Sequence, residues 1–148
     1  MSARSKSLSP EERLFQSVLR AADHLLRGEV ELLRPVSLTF SQYNVLRILR
    51  GAGADGLSAG AIAERMVNRD PDMTRLLDGL ARRRLISRSR GDDRRIVIAR
   101  ITDAGLTLLR GLDTPVDRVH REQLRHLSGE QLESLADLLD LVRSPGGQ

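Results

Sequence analysis

The chain has 148 residues, of which 40% are hydrophobic and 30% charged, with a formal charge of +4 and no cysteine or tryptophan. This length supports one domain with a real hydrophobic core and is too short for two ordinary domains. The lack of cysteine excludes a disulfide framework, a thiolate zinc site and a cysteine-based redox sensor. Only three residues are aromatic, which argues against a stacking platform for single-stranded nucleic acid.

No stretch of the sequence approaches the roughly 18 consecutive apolar residues that a membrane-spanning helix needs. The first residues, MSARSKSLSPEER, also lack the apolar region of a secretory signal. We therefore expect a cytoplasmic protein that makes no use of a membrane.

The first predicted element is an amphipathic helix from Pro10 to about Leu33, which starts at the Ser9-Pro10 cap pair. A second helix is predicted in LTFSQYNVLRIL, with Thr39 or Ser41 as its N-cap and a glutamine placed for a capping box with Thr39. The glycine-rich segment GAGADG, residues 51–56, follows this helix and contains no lysine. It is therefore predicted to be a loop and not a phosphate-binding site.

Two short helices come next, joined by a tight connection at residues 68–70. Ser58 is the predicted cap of AGAIAERMV, and Asp70 and Pro71 are predicted to cap and open DMTRLLDGLARRR. Two β-type runs, 85–86 and 96–101, then lie on either side of a Gly-Asp-Asp turn. This order of elements is typical of a winged helix-turn-helix.

The sequence ends in two leucine-rich helices. Thr102 is the predicted cap of a long helix that Pro115 interrupts, and Ser128 opens a capping box for the last helix. The predicted fold class is mostly α with a small β-hairpin wing. We expect one domain, 1–148, in which a winged helix-turn-helix core, 38–101, is flanked by dimerisation helices at 10–34 and 102–143.

Positive charge is concentrated in residues 82–100, which hold eight arginines and two aspartates, so this segment carries +6 and the rest of the chain −2. A basic segment on a slightly acidic body is typical of a surface that meets a polyanion. The alternative is that the arginines form an ordinary solvated face.

The helix after the tight connection has two distinct faces. At 100° per residue, its Met and Leu side chains fall within one narrow arc, while Thr74, Arg75, Asp78 and Arg82 point the other way. Arginine and threonine are suited to reading base edges and phosphates in a major groove. The alternative is that Arg75 and Arg82 are solvated and paired with Asp78, at a few tenths of a kcal/mol each.

From Leu38 to about Leu109 the chain resembles the MarR family of bacterial transcriptional regulators, through LTFSQYNVLRIL, MTRLLDGLARRRLISR and DDRRIVIARITDAG. The Asp-x-Arg of the family's wing matches Asp93 and Arg95. The resemblance implies that Arg95, held by Asp93, enters a minor groove, whose negative potential favours a guanidinium. The alternative is an ordinary turn aspartate that pairs with a strand arginine.

The chain departs from the family pattern at both ends of the predicted recognition helix. Asp70, Pro71 and Asp72 stand where many members have serine or threonine, which leaves the choice of bases open. Arg84 replaces the usual glycine, so it must accept a left-handed helix cap at a cost of roughly 1 kcal/mol, or the helix must end differently.

Candidate DNA-binding residues come from the recognition helix and the hairpin. They are Asp72, Thr74, Arg75, Asp78, Arg82, Arg88, Arg90, Asp93, Arg94 and Arg95.

The apolar stripes of the first and last helices exceed what a module of about 70 residues can cover. Candidate dimerisation residues are Leu14, Val18, Leu25, Leu132, Leu135, Leu138, Leu139 and Val142. A homodimer would place two recognition helices on a two-fold axis, in keeping with a pseudo-palindromic operator in double-stranded DNA. The alternative is that these stripes pack within one chain.

The sequence contains no catalytic motif and no motif for a metal or cofactor. His120 and His126 are six residues apart, about 240° around a helix, and so do not face one metal as an i, i+4 pair would. We therefore expect a regulator and not an enzyme.

The predicted function is a homodimeric transcriptional repressor that a small molecule releases from its operator. The resemblance implies an effector pocket between the DNA module and the dimer helices, commonly for a small aromatic or lipophilic anion, although no residue identifies that ligand. Two other functions stay open: an architectural DNA binder without sequence preference, and a winged-helix module that binds proteins.

Overall fold

The computed structural model describes residues 7–144, which form six α-helices and one small antiparallel sheet. The helices are α1 (Pro10–Leu33), α2 (Phe40–Ala52), α3 (Ala59–Arg65), α4 (Met73–Arg82), α5 (Asp103–Leu124) and α6 (Gly129–Arg143). The strands are β1 (Leu57–Ser58), β2 (Ile86–Arg90) and β3 (Val97–Ile101). Short 3₁₀ turns, Arg34–Val36 and Gly53–Asp55, follow α1 and α2, so the first two residues of the predicted GAGADG loop belong to α2. None of the described helices is both long enough and apolar enough to cross a membrane.

The predicted N-caps are confirmed for five of the helices. The hydroxyl groups of Ser9, Ser58 and Thr102 accept hydrogen bonds from backbone N–H groups in the first turns of α1, α3 and α5. Thr39 and Ser128 each form a complete capping box at α2 and α6. These caps satisfy N–H groups that have no partner within the helix.

The prediction that Pro115 interrupts the long C-terminal helix is wrong, because α5 runs without a break from Asp103 to Leu124. A proline inside a helix removes one backbone hydrogen bond. Here Leu112 and Val116, on either side of the proline, are both buried in the core. Their packing holds both halves of α5 against the rest of the domain, which offsets the missing bond.

The sheet has three strands in the order β1-β3-β2, where the sequence predicted only the hairpin. β1 pairs with β3 through Leu57 opposite Ala99 and Ser58 opposite Ile98. Gly56, just before β1, has φ +67°, and a Cβ there would lie 2.4 Å from the Ala99 carbonyl oxygen. A glycine is therefore required where β1 meets the hairpin, and a two-residue strand is too short to show a period in the sequence.

One hydrophobic core joins the winged helix-turn-helix to the flanking helices. Fully buried Leu46 and Leu49 of α2 and Leu80 of α4 belong to it, together with Leu33 of α1 and Leu109 of α5. The C-terminal part of α1 and the first half of α5 are therefore part of the structure that positions α4.

The N-terminal part of α1 and helix α6 have no comparable core. Helix α6 contains no buried residue. Large apolar side chains are exposed along both terminal helices: Leu14, Phe15, Leu19, Leu26 and Val30 of α1, and Leu132, Leu135, Leu138, Leu139, Leu141 and Val142 of α6. Of the other predicted dimerisation residues, Val18 and Leu25 are half-buried.

Candidate nucleic-acid interface

Helix α4 has the two faces that the sequence predicts. Leu76, Leu77 and Leu80 are buried against α2, α3 and β2. Thr74, Arg75 and Arg82 are exposed on the other face. The buried leucines fix the rotation of the helix about its axis and so determine which side chains it presents outward.

The start of α4 differs from the prediction. Asp70 and Pro71 lie outside the helix, and Asp72 is its N-cap, with a carboxylate oxygen 3.0 Å from the backbone N of Arg75. The Asp70 carboxylate instead accepts a hydrogen bond from the backbone N–H of Asp72, at 3.0 Å. Both acids are therefore used to shape the turn before α4, since an aspartate can either cap a helix or close an Asx turn.

The end of α4 confirms that Arg84 adopts a left-handed conformation, with φ 59°. The backbone N–H of Leu85 donates to the Leu80 carbonyl at 3.1 Å, and that of Arg84 donates to the Ala81 carbonyl at 2.9 Å. This pair of bonds is a Schellman motif, in which buried Leu80 and Leu85 supply the accompanying apolar residues. The motif ends α4 in the way that glycine usually allows, despite the cost of a side chain at this position.

Asp78 pairs with the wing and not with its helix neighbours. Its carboxylate lies 2.5 Å from the Arg88 guanidinium on β2. The alternative in which Asp78 pairs with Arg75 or Arg82 is therefore wrong. Two of the predicted DNA contacts neutralise each other across the α4–β2 junction, where both side chains are partly exposed, so the pair adds little to stability.

The wing is a six-residue turn, closed by a 2.8 Å hydrogen bond from the Gly91 N–H to the Ile96 carbonyl. Arg90 donates to the Arg94 carbonyl at 2.7 Å and braces one side of the turn. At the tip, the Asp93 carboxylate accepts from the backbone N–H of Arg95 at 3.0 Å and from its Nε at 3.2 Å. The predicted Asp93–Arg95 pair is thus confirmed as a contact.

These two hydrogen bonds, the backbone one first, hold the pKa of the Asp93 carboxyl below its usual value. The carboxylate therefore stays charged and restrains the guanidinium. The Arg95 side chain is 91% exposed, which leaves its remaining donors free to meet a ligand. Arg94 beside it is also exposed.

Two arginines of the basic segment donate hydrogen bonds to other groups of the protein itself. Arg100 donates to the Ala54 carbonyl and to the Ser89 hydroxyl, at 2.8 and 2.7 Å, and so ties the wing strands to the turn after α2. Arg83 donates to two carbonyls beyond the end of α1. The sequence counted both as surface charge, because arginine composition alone does not reveal a carbonyl partner more than 40 residues away.

The buried Asn44 of α2 is a further residue that sequence reasoning missed. Its side-chain oxygen accepts a 2.9 Å hydrogen bond from the backbone N–H of Val67, in the turn between α3 and α4. This bond fixes the turn from below, while the Val67 side chain is left 76% exposed. The sequence signal for this role was the position of Asn44, a polar residue among the apolar residues of α2.

A small polar cleft of about 170 Å³ lies between α2 and α5, lined by Tyr43, Arg47, Asp113, Val116, Asp117 and His120. Asp113 is paired with Arg50, and Asp117 with Arg121. Arg47 lies over the Tyr43 ring, 5.8 Å from its centroid. Burial raises the pKa of the Tyr43 hydroxyl, so it stays protonated.

Residues 36–96 match the family model described as MarR family. No curated protein matches the chain at a significant level.

Solved structures extend the likeness over almost the whole chain. A MarR transcription factor from Planctomyces limnophilus is 38% identical, with a TM-score of 0.70 over 93% of this chain and 99% of that one. Wild-type MarR from E. coli, in its apo form, is 25% identical, with a TM-score of 0.69 over 92% and 98% of the two chains. An organohalide-sensing transcriptional regulator in its ligand-free form shares the fold, with 15% identity and a TM-score of 0.85 over 97% and 85%.

These matches confirm the winged-helix fold and the prediction of a regulator and not an enzyme. Regulators of this family bind DNA and are typically dimers. The chain belongs to the MarR family of DNA-binding transcriptional regulators.

Proposed function

We propose that this chain is a homodimeric, sequence-specific repressor that acts on operator DNA in the cytoplasm and that a small-molecule effector releases. The observation that carries the proposal is the arrangement of α4 and the wing. The buried leucines of α4 turn Thr74 and Arg75 outward, while the ion pair between Asp78 and Arg88 joins the helix to the wing. One element suits a major groove and the other the minor groove beside it.

Within this proposal the candidate DNA residues have different roles. Thr74 and Arg75 read base edges, and Arg82, Arg90 and Arg94 contact phosphates. Arg95 enters the minor groove, where its exposed guanidinium meets the most negative potential. Asp72, Asp78, Arg88 and Asp93 orient these groups, because their polar atoms are already engaged within the protein.

The exposed apolar faces of α1 and α6 support a homodimer. A monomer would leave eleven large apolar side chains of these two helices in water. Soluble monomers rarely expose contiguous patches of that kind, so a second copy is the simplest partner. A two-fold axis through these helices would present two recognition helices to half-sites about one helical turn apart.

The cleft between α2 and α5 supports effector binding, because it lies where the DNA module meets a flanking helix. Its carboxylates are paired with arginines, while Arg47 has no carboxylate partner among the described residues and could bind an anion. Its volume of about 170 Å³ suits a small ligand only. One regulator of the same fold is organohalide-sensing, which supports a small-molecule effector for this chain.

The test begins with selection of genomic fragments by the purified protein, followed by sequencing. Binding to the recovered duplex and to a scrambled duplex is then titrated at several salt concentrations, with sedimentation to measure the oligomeric state. A sequence-specific regulator should prefer its site by about 10³ or more.

Equal affinity for both duplexes would indicate an architectural DNA binder. Failure to bind any duplex at low salt would instead indicate a protein-interaction module.

A further inference from the structure

Arg83 links the recognition helix to the end of α1. Nη1 of its guanidinium donates to the Ser37 carbonyl at 2.7 Å and Nη2 to the Val36 carbonyl at 2.9 Å. These carbonyls lie in the turn where α1 passes into α2, and Ser37 has the left-handed φ of 54° that reverses the chain there. The two bonds therefore bridge segments 46 and 47 residues apart.

The backbone of Arg83 is itself held firmly. It is the last residue before the left-handed Arg84, inside the Schellman motif that ends α4. A side chain that starts from such a fixed position and ends on two carbonyls acts as a short strut, because the guanidinium presents its donors in a rigid plane. The strut joins the C-terminal end of α4 to the turn between α1 and α2.

A second link ties the same end of α4 to α5. The Thr102 hydroxyl donates to the Arg84 carbonyl at 2.7 Å, and the Thr102 N–H donates to the Leu85 carbonyl at 3.1 Å. A Cβ at Gly105 would lie 2.4 Å from the Leu85 carbonyl oxygen, so only glycine allows α5 to approach this closely. The end of α4 is thus attached to both helices that flank the DNA module.

The rest of α4 is held by its own module, since it packs on α2, α3 and β2. Besides the core that Leu33 of α1 and Leu80 share, the Arg83 hydrogen bonds give α4 a direct polar link to the turn that follows α1. In a dimer built on α1 and α6, the distance between the two recognition helices depends on this link in each subunit.

We propose that Arg83 is a positioning residue that fixes the separation of the two recognition helices and so determines which half-site spacing the dimer accepts. The proposal rests on the homodimer proposed above. In this role Arg83 acts through contacts within the protein, although it lies between Arg82, a predicted DNA contact, and the left-handed Arg84. Specificity for spacing would then be carried by a residue that need not touch DNA.

Two substitutions separate this role from simple charge. Arg83→Lys keeps the positive charge but cannot donate to both carbonyls in the planar geometry of a guanidinium. Arg83→Met loses the charge and the hydrogen bonds. Arg82→Met is the matched control, because it removes a neighbouring exposed arginine for which the described structure gives no carbonyl partner. Circular dichroism and sedimentation establish that each variant is folded and dimeric.

The first measurement uses the selected operator duplex and versions with the half-sites moved closer or further apart by one and two base pairs. Wild type should prefer the parent spacing. Arg83→Lys should reduce that preference by about fivefold, the factor expected for one lost hydrogen bond, and Arg83→Met, which loses both bonds, should reduce it further. Arg82→Met should weaken binding to every spacing alike. If Arg83→Lys keeps the wild-type preference, the proposal is wrong and Arg83 acts through its charge.

The second measurement needs no DNA. Because the chain has no cysteine, Thr74→Cys introduces a single spin-labelling site on each α4. The distance between the two labels should be sharply distributed in the wild-type background and broader or shifted with Arg83→Lys. An unchanged distribution in a dimeric variant would overturn the role of Arg83, whereas a monomeric wild-type protein would overturn the homodimer itself. If Arg83→Met fails to fold, Arg83→Lys decides the question.

Discussion

The two ends of this molecule distribute their apolar residues in opposite ways. In the winged helix-turn-helix, residues 38–101, the leucines of α2 and α4 are buried, and the arginines of α4 and the wing lie outside. In the terminal helices, residues 10–30 of α1 together with α6, every leucine except half-buried Leu25 lies outside. The first region is complete within one chain, whereas the second lacks the surface that would bury its leucines.

This contrast explains why the two regions should respond differently to the same kind of substitution. Stability in the winged helix-turn-helix comes from contacts within one chain, so it does not depend on protein concentration. Stability that the terminal helices gain from a partner depends on concentration, because association is linked to folding by mass action. The largest expected effects test this division directly.

Leu138→Asp should separate the subunits. Leu138 lies on α6 and is 61% exposed in the single chain, so a charge there would be tolerated by a monomer. In the proposed interface it would become an unpaired buried charge, twice per dimer, at a cost of several kcal/mol. Analytical ultracentrifugation should show monomers at concentrations where wild type is dimeric.

Glu133→Lys is the control for Leu138→Asp, because it changes a charge about 140° away around the same helix. It should leave the dimer intact. A dimer that survives Leu138→Asp would place this leucine outside the interface.

Leu80→Ala should destabilise each chain by about 2 to 5 kcal/mol, since Leu80 is fully buried and its removal leaves a cavity at the α4 core. The loss, measured by chemical denaturation, should be the same at low and high protein concentration. Leu139→Ala on α6 is the matched comparison, and its loss should grow when the protein is concentrated enough to dimerise. If the stability losses of the two variants depended on protein concentration in the same way, the two regions would not differ in how they are stabilised.

The fold could be predicted largely from local signals. Capping hydroxyls at Ser9, Thr39 and Ser128 and the periodic leucines of α4 are short-range features that determine where helices begin and which face is buried. The break expected at Pro115 did not form, because tertiary packing around Leu112 and Val116 outweighs the local preference of proline. Strand β1 was missed because its pairing with β3 is long-range.

The candidate site was predictable in composition more than in geometry. The Asp93–Arg95 contact joins residues only two positions apart, so it could be predicted from the sequence. The Asp78–Arg88 pair and the Arg83 strut join segments 10 and more than 40 residues apart, and they depend on how α4 lies against β2 and on the turn after α1. Charge counts cannot distinguish such internal arginines from those free to bind DNA.

Arg75→Ala should mainly change sequence choice. If the Arg75 guanidinium reads a base edge from the exposed face of α4, its loss should cost about 1 to 3 kcal/mol on the operator and much less on scrambled duplex. Fluorescence anisotropy on both duplexes measures the difference. Equal losses would make Arg75 a phosphate contact, and the base reader should then be sought at Thr74.

Arg95→Ala should weaken operator and scrambled duplex together, because a wing-tip guanidinium contacts the minor groove and backbone without reading one base. The slope of log affinity against log salt should fall by about one unit per half-site. Titrations at four salt concentrations, with circular dichroism to confirm folding, provide the test. Unchanged affinity would indicate that the wing arginines are solvated and do not contact DNA.

The smallest effect concerns the proton on Asp93, and it appears only in acid. The backbone N–H and the guanidinium of Arg95 hold the pKa of this carboxyl below its usual value of 3.8, so the folded wing favours the charged form. Any stability that the pair adds is present above that usual value and is lost as pH falls through the lower folded pKa, because a depressed pKa acts in that direction. At neutral pH the contact is therefore complete.

An NMR titration of the Asp93 carboxyl should show its pKa return toward the usual value in Arg95→Ala, although not fully, since the alanine backbone N–H can still donate. An identical titration curve in the two proteins would show that the carboxylate does not restrain Arg95, and the wing tip would then meet DNA with a freely rotating guanidinium.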